Sequence, residues 1–417
     1  MAIKLDLRRL EAIKSTDHFK ILKDKALKYA KEIENDNSIG FTHLPETSRY
    51  IEDAETISLK LPDGIDTLLV LGIGGSALGT KMIANCFGEH LKRRLIVLDN
   101  VDPDTVKSIS KKINPQKTCI NVISKSGSTV EPISLFKYFF NLFRENLGEV
   151  EALKRTVITT DPEKGNLRKL ATSFNILTLE VPQNVGGRFS VLTPVGIFPL
   201  YYAGVDVSSI LRGALKQKKE GVEQAITGSI VDYMFYTGGK NIKVMFIYSD
   251  RLYTFGEWYL QLFAESLGKK VKKNGEEIRI GATGVLAKGV TDQHSQVQLY
   301  KEGPDDKLFV FFRLEKKHDV IIPPAFDQDK GFSYLTGKTF GELMFAECEG
   351  TIQALENDGR PVILYEMDEI TPENMGRLIY LFELQTAVAG FLYGIDPFNQ
   401  PGVEEGKTIA KKLLGYN

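Results

Sequence analysis

The stretch Thr67-Leu68-Leu69-Val70-Leu71-Gly72-Ile73-Gly74-Gly75-Ser76-Ala77-Leu78-Gly79 decides how the chain is read. Its first five residues form a short apolar run without period-two alternation, the pattern of a strand buried on both faces. Glycines follow at once. They permit positive φ and let a backbone approach a ligand closely. A helix starting here would aim free N–H groups and its positive dipole end at an anion. The spacing Gly72, Gly74, Gly75, Gly79 is not the dinucleotide fingerprint. A plain tight turn between strand and helix is the other reading of the same residues.

Similar short apolar runs recur at residues 95–98, 119–123, 156–158 and 176–179, most of them ending in Gly, Asp, Asn or Ser. The stretches between them can hold helices, and a charged amphipathic helix precedes them at residues 15–36. After a helical connector near residues 208–227 the pattern restarts. Strands are expected at 243–248, 308–313 and 362–367, and helices at 252–268, 372–394 and 401–414. Apolar strands alternating with helices predict an α/β fold of doubly wound parallel sheets with helices on both faces. No repeat of fixed period appears. The expected division is a helical segment 1–45, a first α/β domain 46–205, a connector 206–228, a second α/β domain 229–395 and a C-terminal helix 396–417.

At 417 residues the chain exceeds one ordinary core. Its 53 basic and 54 acidic residues leave a net charge of −1. That lacks the basic excess of a protein devoted to nucleic acid or an anionic membrane. Any bound anion is therefore gripped locally. Cys86, Cys119 and Cys348 have neither metal-ligand nor disulfide-framework spacing and suit a reduced cytosol. No secretory apolar core and no run of membrane-spanning length are seen, so a cytoplasmic protein is expected.

Ser124, Lys125, Ser126, Gly127, Ser128 and Thr129 follow the third strand. Four hydroxyls beside a glycine at a helix start can bind phosphate without a large net charge. A Ser/Thr cap with Glu131 as its capping-box partner is the alternative. Two such loops at strand C-terminal ends of one sheet favour a ligand site.

Glu265 lies near the end of the helix 252–268. At about 100° per residue it falls about 20° from Trp258 and about 60° from Leu262. It thus flanks the apolar face, with Gln261 one turn earlier. Burial and a helix C-terminus both raise a carboxylate's pKa, which suits a general base. An exposed glutamate beside Lys269 and Lys270 is the other reading. Arg188, after Gly186 and Gly187, is either a permanent charge pressed against a ligand oxyanion or a surface arginine in a turn. His294 stands in Asp292-Gln293-His294-Ser295-Gln296 with no second ligand at metal spacing. It is a proton shuttle or a hydrogen-bonded structural histidine. Lys407 falls within the apolar stripe Val403, Ala410, Leu414 of the last helix, beside Gly406. A lysine on a buried stripe needs a snorkelling path or an anionic partner.

Together, residues 72–79, 124–131, 186–199, 261–269, 292–304 and 400–407 closely resemble the glucose-6-phosphate isomerase family. The runs Gly186-Gly187-Arg188-Phe189-Ser190 and Asp292 through Tyr300 are the most specific. The resemblance implies two sugar-isomerase (SIS-type) domains and a C-terminal helix reaching the active site. It implies reversible isomerisation of glucose 6-phosphate and fructose 6-phosphate through a cis-enediol, without metal or other cofactor. It assigns phosphate contacts to Ser124, Ser126 and Thr129, with Lys125 and Ser128 in the same loop and Gly75 and Ser76 nearby. Glu265 matches the base, and Arg188 the group stabilising the enediolate. His294 and Lys407 match groups handling ring opening and the ring oxygen. Gln261 and Gln400 match contacts to sugar or ordered water. It also implies a homodimer in which His294 crosses to the partner's site.

Ser126 and Ser128 stand where the family usually has threonines, which keeps the hydroxyls and drops methyl packing. The chain is shorter than the animal forms and resembles the compact bacterial ones. The alternatives are a SIS-type sugar-phosphate sensor, a bifunctional phosphoglucose/phosphomannose isomerase and a nicotinamide dehydrogenase. A sensor would not need Glu265, and the dehydrogenase lacks the glycine spacing. The bifunctional enzymes are usually shorter and depart from the pattern at Gln400 to Lys407.

Overall fold

A computed structural model describes residues 2–315 and 319–416. Twelve strands appear among them. In chain order they are β1 (Ile3–Asp6), β2 (Thr67–Leu71), β3 (Arg94–Leu98), β4 (Thr118–Ser124), β5 (Thr156–Thr160) and β6 (Leu177–Glu180), then β7 (Ile242–Tyr248), β8 (Lys269–Val271), β9 (Glu277–Ile280), β10 (Thr283–Lys288), β11 (Lys307–Leu314) and β12 (Val362–Met367). The first sheet has the order β3-β2-β4-β5-β6 and is parallel throughout. The second has the order β1-β12-β11-β7-β10, parallel except for β1, which runs antiparallel at one edge. β8 and β9 form a separate antiparallel ribbon.

The apolar runs explain this layering. Every residue of β2, β4 and β5 is buried. Leu68 and Val70 of β2 enter one core and Leu69 and Leu71 another, as alternation across a doubly covered sheet requires. The second sheet repeats this, with Met245 and Ile247 facing the core it shares with the first sheet and Val244 and Phe246 facing away. The shared core also takes in the helices Val207–Glu220, Val222–Thr237, Tyr253–Leu267 and Pro372–Leu392. Helix Pro372–Leu392 crosses Val207–Glu220 so closely that a Cβ on Gly376 would lie 1.9 Å from the Ile210 carbonyl.

The strands read at 67–71 and 362–367 match their observed limits, and most others shift by a residue or two. The stretch expected as a connector is two helices inside the shared core. β1 and β10 were not expected: they are edge strands, with exposed or half-buried residues among the apolar ones. The last helix needs a correction. Its stripe is not buried: Glu404–Leu413 has no buried residue, and Val403 and Leu414 are 40% and 73% exposed. Residues 397–400 are pinned by Arg188, and past Pro401 the helix leaves the body.

Candidate active site

β4 ends at Ser124, and Gly127 turns the chain at φ +63° into the helix Val130–Leu147. Thr129 is the residue capping that helix, yet its side chain makes no capping bond. Its hydroxyl instead meets Ser124 Oγ at 2.9 Å and Ser126 Oγ at 3.2 Å. Ser128 Oγ joins by donating to Ser126 Oγ at 3.3 Å. The capping-box reading of this loop therefore fails. A cluster of hydroxyls stands at the N-terminus of a long helix, where free N–H groups and the dipole favour an anion. Lys125 is engaged elsewhere, donating to the carbonyls of Gln183 at 2.8 Å and Val185 at 2.7 Å. This geometry does not place it among the phosphate contacts expected of the loop, and burial pushes its ammonium below the ordinary lysine value.

The glycine loop after β2 lies against the turn that carries Arg188. A Cβ on Gly75 would stand 2.2 Å from the Gly187 carbonyl, so only glycine permits the approach. Ser76 closes the short turn Gly74–Ser76 and is half-buried. The two glycine-rich stretches, far apart in sequence, thus form one wall.

Arg188 is 3% exposed and nearly every donor it has is engaged. Nε donates to Ser266 Oγ at 2.7 Å, Nη1 to Gln400 Oε1 at 2.7 Å, and Nη2 to the Pro397 carbonyl at 2.5 Å and the Asn399 carbonyl at 3.1 Å. Nη1 also stands 3.5 Å from Glu265 Oε2. Burial lowers the guanidinium's pKa, and the charges of Glu265 and Asp396 pull it back up. The surface-turn reading of Arg188 is excluded.

Glu265 flanks buried Trp258 and Leu262 on the helix Tyr253–Leu267, as its spacing predicts, and its side chain stays 31% exposed. Gln261 Nε2 donates to Glu265 Oε1 at 3.2 Å. The Gln261 side-chain oxygen, Oε1, is buried without a hydrogen-bond partner among the described residues. A half-exposed carboxylate, fixed between an amide and a buried guanidinium, can take a proton and have a neighbouring negative charge stabilised. Sequence reasoning missed three of the groups that hold this pair: Ser266, Asp396 and Lys269. The last was visible as a cation four residues past Glu265 at a helix end, where cations satisfy free carbonyls.

His294 and Lys407 are not brought to this cluster. β7 and β10 run parallel, so the turn Thr291–His294 lies at the edge where helix Tyr253–Leu267 begins; Lys288 there pairs with Asp250 at 2.9 Å. Glu265 is near the far end of that helix, roughly 18 Å along its axis. His294 is exposed. Lys407 is exposed too, and its ammonium donates to Glu404 Oε1 at 2.8 Å. Among the described residues no group of three or more His, Cys, Asp or Glu is placed to hold a metal ion, and no helix is long and apolar enough to cross a membrane.

The chain is similar to known proteins in both sequence and fold. The family model described as phosphoglucose isomerase matches residues 57–416. The glucose-6-phosphate isomerase of Rubrobacter xylanophilus is 41% identical over 90% of this chain and 89% of its own length. A crystal structure of a hypothetical protein from Thermus thermophilus superposes with a TM-score of 0.90 at 35% identity, covering 99% of both chains. A glucose-6-phosphate isomerase from Chlamydia trachomatis shares the fold, with a TM-score of 0.83 at 21% identity over 96% of this chain and 86% of its own.

Proposed function

The chain belongs to the phosphoglucose isomerase family and interconverts glucose 6-phosphate and fructose 6-phosphate; from that premise we propose how its residues divide the work. The observation that carries the proposal is the pair Glu265 and Arg188, a carboxylate 3.5 Å from a guanidinium that the fold has already buried and bonded. Glu265 takes the proton from the carbon next to the carbonyl. The charge left on the oxygens of the enediolate is stabilised by Arg188, whose charge is present and oriented before the reaction starts. The protonated carboxyl then returns the proton to the neighbouring carbon, completing an aldose–ketose exchange through a cis-enediol. Ser124, Ser126, Ser128 and Thr129, with the helix N-terminus behind them, hold the phosphate. Gly75 and Ser76 shape the adjoining wall. Gln261 and Gln400 orient Glu265 and Arg188 and contact sugar or ordered water.

His294 and Lys407 handle ring opening and the ring oxygen. The separation of His294 from Glu265 within one chain supports its delivery to the site of a second copy, in a cytoplasmic homodimer. Cys86, Cys119 and Cys348 are all buried, and three such widely spaced cysteines fit a reducing compartment. Lys407 reaches the site by a closing movement of the C-terminal helix. Residues 46–205 and 229–395 are proposed as the two α/β domains, with 1–45 as a helical segment, 206–228 linking them through the shared core, and 396–417 carrying Gln400 and Lys407.

The test is a coupled assay of fructose 6-phosphate converted to glucose 6-phosphate, with mannose 6-phosphate as the control. Turnover of the first and little of the second is expected. Tight binding without turnover would move the protein to the sugar-phosphate sensors. Comparable rates on both would make it a bifunctional isomerase.

A further inference from the structure

Lys269 begins β8, one residue past the glycine that ends the helix Tyr253–Leu267. Four lysines stand close together here, and they are not alike. Lys270 pairs with Glu277 at 3.8 Å, Lys272 with Glu276 at 2.9 Å, and the Lys273 ammonium lies 3.4 Å from the centre of the Phe391 ring. Lys269 alone among them is buried, at 9% exposed, and its ammonium turns back to donate to the Glu265 main-chain carbonyl at 2.5 Å.

That carbonyl is one of the last four of its helix, which have no partner within the helix. The Gly268 N–H satisfies Ala264 at 2.9 Å, and Lys269 satisfies Glu265. Glu265 is therefore held twice. Its carboxylate lies between Gln261 and Arg188, and its own carbonyl is bound by a buried cation. The charges facing that cation are the Arg188 guanidinium, which repels it, and the carboxylates of Asp396 and Glu265, which attract it. An open cleft lined by Lys269, Asp396 and Asn399 gives water a path to it.

We propose that Lys269 is a positioning residue for the isomerisation: its ammonium locks the last helical turn, so that the Glu265 carboxylate stays in register with Arg188. This rests on Glu265 being the base. Burial, helped by the Arg188 charge, lowers the Lys269 ammonium to about 8. Below that pH the lock carries its charge. As pH rises through it the charge is lost, the grip on the carbonyl weakens, and turnover falls.

The experiment measures kcat and KM of the protein from about pH 6 to about pH 11, a range spanning the ordinary lysine and the lowered value. Wild type is compared with Lys269→Met, Lys269→Arg and Glu265→Gln. Lys269→Met should lower kcat by about tenfold near neutrality with KM within about threefold, since a small misplacement of a reacting group costs rate more than binding. Lys269→Arg should recover most of the loss and stay active above the pH at which wild type falls, because a guanidinium keeps its proton. A Lys269→Met enzyme with wild-type kcat would overturn the proposal. So would a wild type with no alkaline fall, or an arginine variant that fails at the same pH as wild type. If Lys269→Met does not fold, the arginine comparison decides. An active Glu265→Gln would defeat the assignment of the base instead, whatever the Lys269 variants do.

Discussion

Arg188 and Lys407 are both cations in segments that match one family's active site, and the fold treats them in opposite ways. Arg188 is 3% exposed, with four hydrogen bonds and a carboxylate at 3.5 Å. Lys407 has an exposed side chain, on a helix with no buried residue, where it pairs with Glu404 one turn away. The contrast separates two kinds of functional group. Where charge must be stabilised as it forms, the group is fixed beforehand and its desolvation is offset by folding. On the division of work proposed above, a group that acts on the incoming ring is left to arrive, from an outlying helix for Lys407 or from a second chain for His294.

The largest expected effect breaks the fixed half. Arg188→Ala removes the preorganised charge and leaves Glu265 without its ionic neighbour, so kcat should fall about 10²–10³-fold, the scale of losing one oxyanion donor. Steady-state kinetics with a check of the folded state would measure it. A loss below about tenfold, well short of that scale, would mean that Arg188 serves packing alone.

The arriving half is tested by mixing chains. His294→Ala and Glu265→Gln should each be nearly inactive alone. Random reassociation in a two-fold dimer should restore roughly a quarter of wild-type activity, because half the dimers carry one intact site. No recovery in dimers shown to exchange subunits would return His294 to a structural role.

The smallest effect concerns stability, away from either half. Glu383 lies at 0% exposure on helix Pro372–Leu392, with neither carboxyl oxygen hydrogen-bonded among the described residues. Burial holds its proton well above the ordinary carboxyl value of 4.5. The folded chain therefore keeps a proton that the unfolded chain releases. The stability this contributes is complete below about pH 4.5 and is lost as pH rises toward the folded value. Glu383→Met should stabilise by about 1–3 kcal/mol near pH 7, the usual cost of an unsatisfied buried polar group. The gain should shrink in acid. Denaturant melts at two pH values would show it, and a gain independent of pH would contradict the account.

Much of this contrast was legible in the sequence, but unevenly. Apolar runs placed the central strands because a doubly covered parallel strand has no polar face to confuse the pattern. Helical periodicity put Glu265 beside Trp258 and Leu262, where the structure has it. Periodicity says nothing about what covers a face, and so the stripe at Val403, Lys407 and Leu414 misled: it is amphipathic and uncovered in the single chain. The burial of Arg188 could not be read locally either, since its acceptors at Pro397, Asn399 and Gln400 lie in a distant part of the sequence. Nor does the loop sequence tell where the Lys125 ammonium goes: its long side chain spans to the carbonyls of residues 183 and 185.

The central claim is that Glu265 carries the proton between the two carbons. The direct measurement is isotope loss to solvent from substrate deuterated at C2, followed alongside kcat in wild type and Glu265→Gln. The amide keeps the size of the carboxylate and much of its hydrogen bonding but cannot accept the proton. Wild type should release part of the label. Glu265→Gln should release almost none, with kcat reduced at least roughly 10²-fold and substrate-analogue binding retained. Label release near the wild-type rate, with more than about a tenth of kcat remaining against that expected loss, would contradict the claim and move the base to another carboxylate, Glu131 or Glu404.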